Sequence, residues 1–410
     1  MVKIKDIVQG RTRRQVLVAL GGLAAVACDT GSGGAAAVPP KPDGSASGDL
    51  GASDASAASD GALAVDTGSV DSQTAEGTST LDTQTADTTP APDAQTPADA
   101  TATDTAAGDA ASPYANEGVA LTPITSNGDH YITSCCPVPK PDVATWKLQF
   151  LDRGKPLASF TLAELEALPA LDREHTLECI GTGPGGQAIS NAIWRGLPLE
   201  KLLAAKGVAL PKAPYLKITA LDAFSTGLPG SDLSKPLWIV WRMNGDPLPT
   251  DHGYPARMLV PGRYGMKNPK WLSTIDFVDE PYLGYWEKLG WSDAAPYLPN
   301  AFIAYPGDKA ILKTGLTRVQ GSAYAGSDPI AKVDVRINGG AWQPAVLDYQ
   351  KGPDVWTLWH YDLPLTTGAW TIQARCTTQS GKASDLNPEG SDPFAFEGYD
   401  GSMQVSVTVA

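Results

Sequence analysis

No Cys-x-x-Cys-His segment occurs in the 410 residues, which excludes a covalently attached c-type haem. The C-terminal third has no pair of cysteines spaced for a cross-sheet disulfide, so it is not an antibody-type domain. A long apolar run is missing as well. The N-terminal stretch from Val16 to Val26 is too short to stay in a bilayer as a spanning helix. Residues 29–115 have no aromatic side chain before Tyr114, and their only base, Lys41, faces thirteen aspartates and Glu76. Such a segment cannot bury enough apolar surface to offset its ordering entropy, so it reads as a disordered tether. Its root-mean-square reach is roughly 50 Å at about 5–6 Å × √n. Most of the net charge of −14 sits in this tether. Residues 116–410 are only mildly acidic, and nucleic acid is not an expected partner.

What the N-terminus does have is an address. Arg13-Arg14 precede the short apolar run, which ends in Ala25-Val26-Ala27-Cys28. Paired arginines before a weakly apolar stretch resemble the twin-arginine export signal of bacteria. The last four residues resemble a lipobox, apart from Ala25 where that pattern prefers leucine. This predicts a signal over residues 1–28, export to the periplasm or cell surface, and a lipid anchor at Cys28. The plain alternative is an ordinary signal peptide with Cys28 incidental. The twin-arginine route carries folded proteins, which suits a chain that takes up a cofactor before export.

All eleven tryptophans lie beyond Gly128, where the globular part begins. Trp146–Phe150 alternates like a strand. Thr161 and Glu164 form a capping box ahead of a short helix. Pro198 is expected in the first turn of a second helix. Strands are predicted over 215–221, 237–243, 257–262 and 273–278, with Asn244-Gly245 as a hairpin turn. This mixture gives an α+β domain over 116–298. From 299 to 410, Val333–Ile337, Trp370–Cys376 and the alternating valines 405, 407 and 409 predict an all-β immunoglobulin-like sandwich.

The chemistry centres on Cys179, in Leu177-Glu178-Cys179-Ile180-Gly181. A lone thiol before a glycine-rich turn is a soft metal ligand when a backbone turn exposes it, and an inert core residue otherwise. Downstream come Asn191–Leu199, His252-Gly253-Tyr254-Pro255-Ala256-Arg257, and Val260-Pro261-Gly262-Arg263-Tyr264-Gly265-Met266-Lys267-Asn268-Pro269-Lys270-Trp271. Four ordered blocks of this kind resemble the sulfite oxidase family of molybdopterin enzymes. The C-terminal sandwich resembles the dimerisation domain of that family, which implies a homodimer. The resemblance implies a molybdenum–molybdopterin cofactor with Cys179 as the metal's sulfur ligand. It implies that His252, Arg257 and Lys270 contact the pterin and its phosphate, that Asn268 and Pro269 add backbone contacts beside Lys270, and that Asp222, by a looser match, is a pterin-binding acid. Taken singly, His252 could be a satisfied turn histidine and the two bases surface charges. The implied reaction is oxygen-atom transfer to a small-molecule substrate, with electrons passed to a separate carrier such as a cytochrome c. The rivals are a sulfoxide or N-oxide reductase on the same cofactor and a metal-free binding lipoprotein that keeps the fold.

The departures concern the substrate. Thr133 stands where the family has an arginine, Gly183 and Pro184 where it has a second, and Trp291 where it has a tyrosine near the metal. Paired arginines contribute strongly to holding a desolvated dianion, so sulfite is not the expected substrate. Arg263 and Arg195 are the candidates to replace them. The vicinal pair Cys135-Cys136 could form a strained redox-active disulfide, lie beside the metal, or be two buried thiols; it reads as the last, with a place beside the metal kept open.

Overall fold

The computed structural model describes residues 112–183, 186, 188–384, 397–399 and 401–410. The signal, the Cys28 anchor and the tether expected from the sequence, up to residue 111, lie outside the described residues, as does Pro184. The last tether residues depart from expectation. Tyr114 lies under the Arg318 guanidinium and bonds Asp362, and Ala115 donates its N–H to the Leu316 carbonyl. An aromatic ring with a cationic partner supplies the burial that the preceding residues lack.

In chain order the first part contains β1 (Leu148–Asp152), β2 (Lys155–Phe160), α1 (Leu162–Glu166), β3 (Leu171–Glu178), β4 (Ile189–Pro198), α2 (Leu199–Ala205), β5 (Tyr215–Ala220), β6 (Ser225–Pro229), β7 (Trp238–Met243), β8 (Asp246–Pro247), β9 (Arg257–Leu259) and β10 (Leu272–Val278). Two sheets result. One runs β2-β1-β10-β5-β6, antiparallel except for the parallel β1–β10 pair. The other runs β3-β4-β7-β8, with β9 also pairing β7. Between them Leu148, Phe150, Leu202, Leu203, Ile218, Ile239, Met258 and Ile275 form a dry core. The predicted capping box is present: Thr161 Oγ1 accepts from the Glu164 N–H while Glu164 Oε2 accepts from the Thr161 N–H. Pro198 differs. It ends β4 and sits at the N-cap of α2, because the strand ladder to β7 continues through it. The hairpin at Asn244-Gly245 forms as its residue types require, with φ of 52° and 87°. Helix is scarcer than an α+β label implies; among the described residues the α-helices are α1, α2 and the four-residue α3 (Tyr285–Lys288).

The described residues from 300 onward form strands and their connections, without an α-helix. β11 (Asn300–Tyr305), β13 (Gly315–Tyr324), β17 (Thr357–Leu365) and β16 (Val346–Tyr349) form one half of a nine-stranded sheet. β14 (Ile330–Ile337), β15 (Trp342–Pro344), β18 (Gly368–Thr378), β19 (Gly401–Val409) and β12 (Ile311–Leu312) form the other. The halves join where β11 runs parallel to β19. They share one core that includes Val319, Trp359, Val333, Ala374, Cys376 and Val405. Cys376 is therefore the buried strand residue expected of it.

Candidate functional site

Cys179 follows β3 directly and opens the loop that leads into β4. Its N–H bonds the Ala188 carbonyl at 2.9 Å and its carbonyl accepts from the Thr182 N–H at 2.8 Å. This tight turn leaves the thiol at the wall of a cavity of about 210 Å³. A Cβ placed on Gly181 would stand 3.7 Å from both Cys179 Sγ and Trp291 Cη2, so the thiol and the indole face the same space. The cavity wall brings together all eight residues singled out from the sequence: Cys179, Trp291, Thr133, His252, Arg257, Lys270, Asn268 and Asp222.

The cationic side is built from the short segment between β8 and β10. His252 ends a 3-10 turn and its Nε2 lies 2.8 Å from the Asn127 carbonyl. Arg257 opens β9, is 5% exposed, and stacks over the Trp194 ring. It donates to the carbonyls of His252 and Asn268, at 3.1 and 3.2 Å, while its Nε has no partner. Lys270 Nζ reaches Ser134 Oγ at 2.8 Å and the Asp251 carbonyl at 2.9 Å. Among the described residues none of these three bases makes an ion pair. Burial, with Arg257 adding to it, pushes the Lys270 ammonium down to about 7. Burial pushes Arg257 down to about 10 and also lowers His252. Buried cations that meet only neutral groups are destabilising alone and become favourable once an anion arrives.

The Asn268 side chain is built into its own loop. Its Oδ1 accepts from the Val260 N–H at 2.6 Å, and its Nδ2 donates to the Arg263 and Tyr264 carbonyls. The side chain is thus used to fold the 260–268 loop, and only its backbone carbonyl serves Arg257. Trp194 is a fully buried packing residue, its Nε1 bonded to the His175 carbonyl. The two arginines offered as replacements are committed elsewhere. Arg263 binds both carboxylate oxygens of Asp232, and Arg195 pairs with Asp172 on the surface. Neither lines the cavity, so Arg257 is its one arginine among the described residues.

Several wall residues gave no signal in the sequence pattern. His130 is 2% exposed, its ring 5.0 Å from that of His252, and its Nε2 lacks a partner. Burial, then Arg257 and His252, hold it neutral down to about 3. Tyr131, Phe224, Met266 and Trp286 complete the lining. His130 and Tyr131 come from the irregular segment before β1, which has no period to read. Trp286 stacks edge-on to Trp291 at 6.2 Å. Their segment is anchored through Glu287, whose carboxylate pairs with the buried Lys267. Cys135 and Cys136 are half-buried rather than buried, and Cys135 lines the cavity. The pair follows the exposed Ile132-Thr133-Ser134, which leaves nothing to cover it.

Residues 135–286 match the family model described as an oxidoreductase molybdopterin binding domain. Human mitochondrial sulfite oxidase is 27% identical over 301 residues, covering 62% of this chain and 55% of that protein. Nitrate reductase [NADH] 1 of Arabidopsis thaliana is 26% identical over 300 residues, covering 57% of this chain and 32% of the relative. The chain thus spans about half, or less, of the length of these relatives. The sulfane dehydrogenase SoxCD of Paracoccus pantotrophus shares the fold, with a TM-score of 0.61 at 22% identity over 70% of this chain and 81% of that one. The cavity suits a phosphate-bearing pterin on its own evidence: a soft thiol on one wall, and on the other the buried Arg257 and half-buried Lys270 without carboxylate partners, with Arg257 Nε and His130 Nε2 unsatisfied. Residues 135–286 thus carry a molybdopterin-binding oxidoreductase domain, and the chain is similar over this region to enzymes of the sulfite oxidase and nitrate reductase type.

Proposed function

We propose that this protein is an exported, lipid-anchored molybdenum enzyme that exchanges an oxygen atom with a small substrate and passes electrons to an external, cytochrome c-like carrier. The observation that carries the reading is the convergence of Cys179 Sγ with His252, Arg257 and Lys270 on one cavity. The bound cofactor would supply two-electron oxygen-atom exchange at its metal. Cys179 would hold the metal through sulfur. Arg257 and Lys270 would neutralise the phosphate, the first as a forked donor and the second as a point charge. The neutral His252 and His130 would hydrogen-bond without adding charge. Trp291, Trp286 and Phe224 would exclude water from the reacting side.

The substrate side has Thr133, Gly181 and Trp291 and no arginine of its own. That supports a substrate less charged than sulfite, and sulfite would bind weakly. A second reading is reduction of an S-oxide or N-oxide at the same site. It is supported by nitrate reductases among the relatives, since those are named for a reductive reaction. The N-terminal motifs around Arg13-Arg14 and Cys28 support export and anchoring.

Metal analysis of the exported protein is the direct test, with about one molybdenum per chain expected. A chain without molybdenum would refute the enzyme reading in favour of a binding lipoprotein. Cys179→Ser should keep the fold and lose turnover with dye acceptors or donors across a panel of sulfite, sulfoxides and N-oxides. Fast turnover of micromolar sulfite would overturn the substrate assignment.

A further inference from the structure

Cys135 and Cys136 play no part in the cofactor contacts described above. They are adjacent in sequence, yet their sulfurs lie 2.6 Å apart, so the turn points both side chains the same way. Asp222 meets them from the hairpin between β5 and β6. The two sulfurs and a carboxylate oxygen all lie within 4.8 Å of one another. Asp222 Oδ1 accepts from the Phe224 N–H at 3.1 Å, and the other oxygen has no hydrogen-bond partner among the described residues. Two segments far apart in sequence thus converge on one point at the cavity wall, which both Cys135 and Asp222 line.

We propose that Cys135, Cys136 and Asp222 form a second metal site, specific for a borderline-soft divalent cation of the zinc class. Two thiolates and one carboxylate are the donors such an ion takes, and hard ions such as magnesium and calcium require oxygen ligands throughout. Zinc–sulfur bonds of about 2.3 Å put tetrahedral sulfurs about 3.8 Å apart. The pair must therefore open by roughly 1 Å, within reach of side-chain rotation. Binding moves no electrons: each S–H loses its proton as the metal–sulfur bond forms, and two protons go to solvent. The charges balance, since three anionic ligands face a dication and the neighbouring Lys270 ammonium. Three protein ligands leave a fourth position, which a water or an anion can take.

The site also bears on the proposed function, on which this consequence rests. Thr133, two residues before Cys135, stands where the family has a substrate-binding arginine. With its three anionic ligands the bound dication adds no net positive charge there, but its open fourth position offers an anionic or polar substrate group a direct bond on that side of the cavity.

Cobalt(II) titration of the full, reduced chain under anaerobic conditions tests the site without reference to turnover. The expected result is one cobalt bound with a sulfur-to-metal charge-transfer band, competed by zinc and not by magnesium. Cys136→Ser and Asp222→Asn should weaken cobalt binding, the former on the order of 100-fold. Cys179→Ser should bind cobalt like the wild type. Azide should shift the cobalt spectrum by taking the fourth position; an unchanged spectrum would overturn the open site. Absence of the band, its loss in Cys179→Ser with retention in Cys136→Ser, or a pair that stays oxidised under a phosphine reductant would each overturn the proposal. Molybdenum content, read separately, reports whether the enzyme reading stands. Cys136→Ser should retain its molybdenum, which separates loss of the second metal from misfolding.

Discussion

Lys270 shows how the site holds energy in reserve at the scale of one residue. Its ammonium is carried into the cavity wall with a hydroxyl and a carbonyl as partners and Arg257 nearby. In the unfolded chain a lysine keeps its ordinary value, about 10.4. In the folded cofactor-free chain it falls to about 7. A lysine with a depressed folded value costs stability in full below pH 7, because the folded state must then carry the charge. The cost fades between pH 7 and about 10.4 and is gone above it. Lys270→Met should accordingly raise the melting temperature of cofactor-free protein, most at pH 6 and not at all near pH 10.5. The same variant should retain less molybdopterin, since one charge on the phosphate is lost. Thermal scans across pH with pterin fluorescence of the released cofactor check both halves. A gain that does not vary with pH would show that the charge is not what destabilises the native chain.

The loop between β9 and β10 is the element on which the cationic wall depends. Its glycines and proline make it look like surface loop, but Asn268 is 2% exposed and ties three backbone groups. Asn268→Ala leaves the buried Val260 N–H and the Arg263 carbonyl without partners and the Tyr264 carbonyl with the Lys267 N–H alone, at about 1–3 kcal/mol for each orphaned group that water cannot reach. A loss of roughly 3 kcal/mol or more is expected in chemical denaturation, together with lower molybdenum content, because the Asn268 carbonyl also orients Arg257. A variant of wild-type stability would mean that the loop is held from elsewhere.

This element also marks what could be read from the chain. The order of Cys179, His252, Arg257 and Lys270 was legible, because each sits in a short block whose spacing the backbone fixes. The hairpin at Asn244-Gly245 and the capping box at Thr161 were legible for the same local reason. The role of Asn268, the neutral His130 and the approach of Asp222 to Cys135-Cys136 were not. Each depends on segments more than 80 residues apart in sequence, or on burial that follows from packing. Arg263 and Arg195 looked available in the sequence only because their partners, Asp232 and Asp172, carry no periodic signal.

At the scale of the molecule, the strand that delivers Cys179 belongs to both halves. β3 lies at the edge of its own sheet, with β4 on one side. On the other side residues 297–356 tie it along its length. Arg173 pairs with Asp354 at 2.7 Å, and the Asp354 carbonyl accepts from the Thr176 N–H. Thr176 also accepts from the Trp356 N–H and from the Tyr324 hydroxyl, and Glu174 accepts from Tyr349. Nearest the thiol, Asn300 Nδ2 donates to both oxygens of Glu178, whose carboxyl burial pushes up to about 8. Removing residues 299–410 would expose the edge of β3, take the Asn300 amide from the Glu178 carboxylate, and leave the Glu174 and Thr176 side chains with Asn191 alone. The C-terminal sheet therefore supports the strand that carries Cys179, the proposed metal ligand, rather than being an appended module. Calorimetry of the full chain should show one unfolding transition for residues 112–410, and a chain ending at 298 should neither fold cooperatively nor retain molybdenum. Two separated transitions, or a truncated chain that keeps its metal, would show that β3 needs only its own sheet.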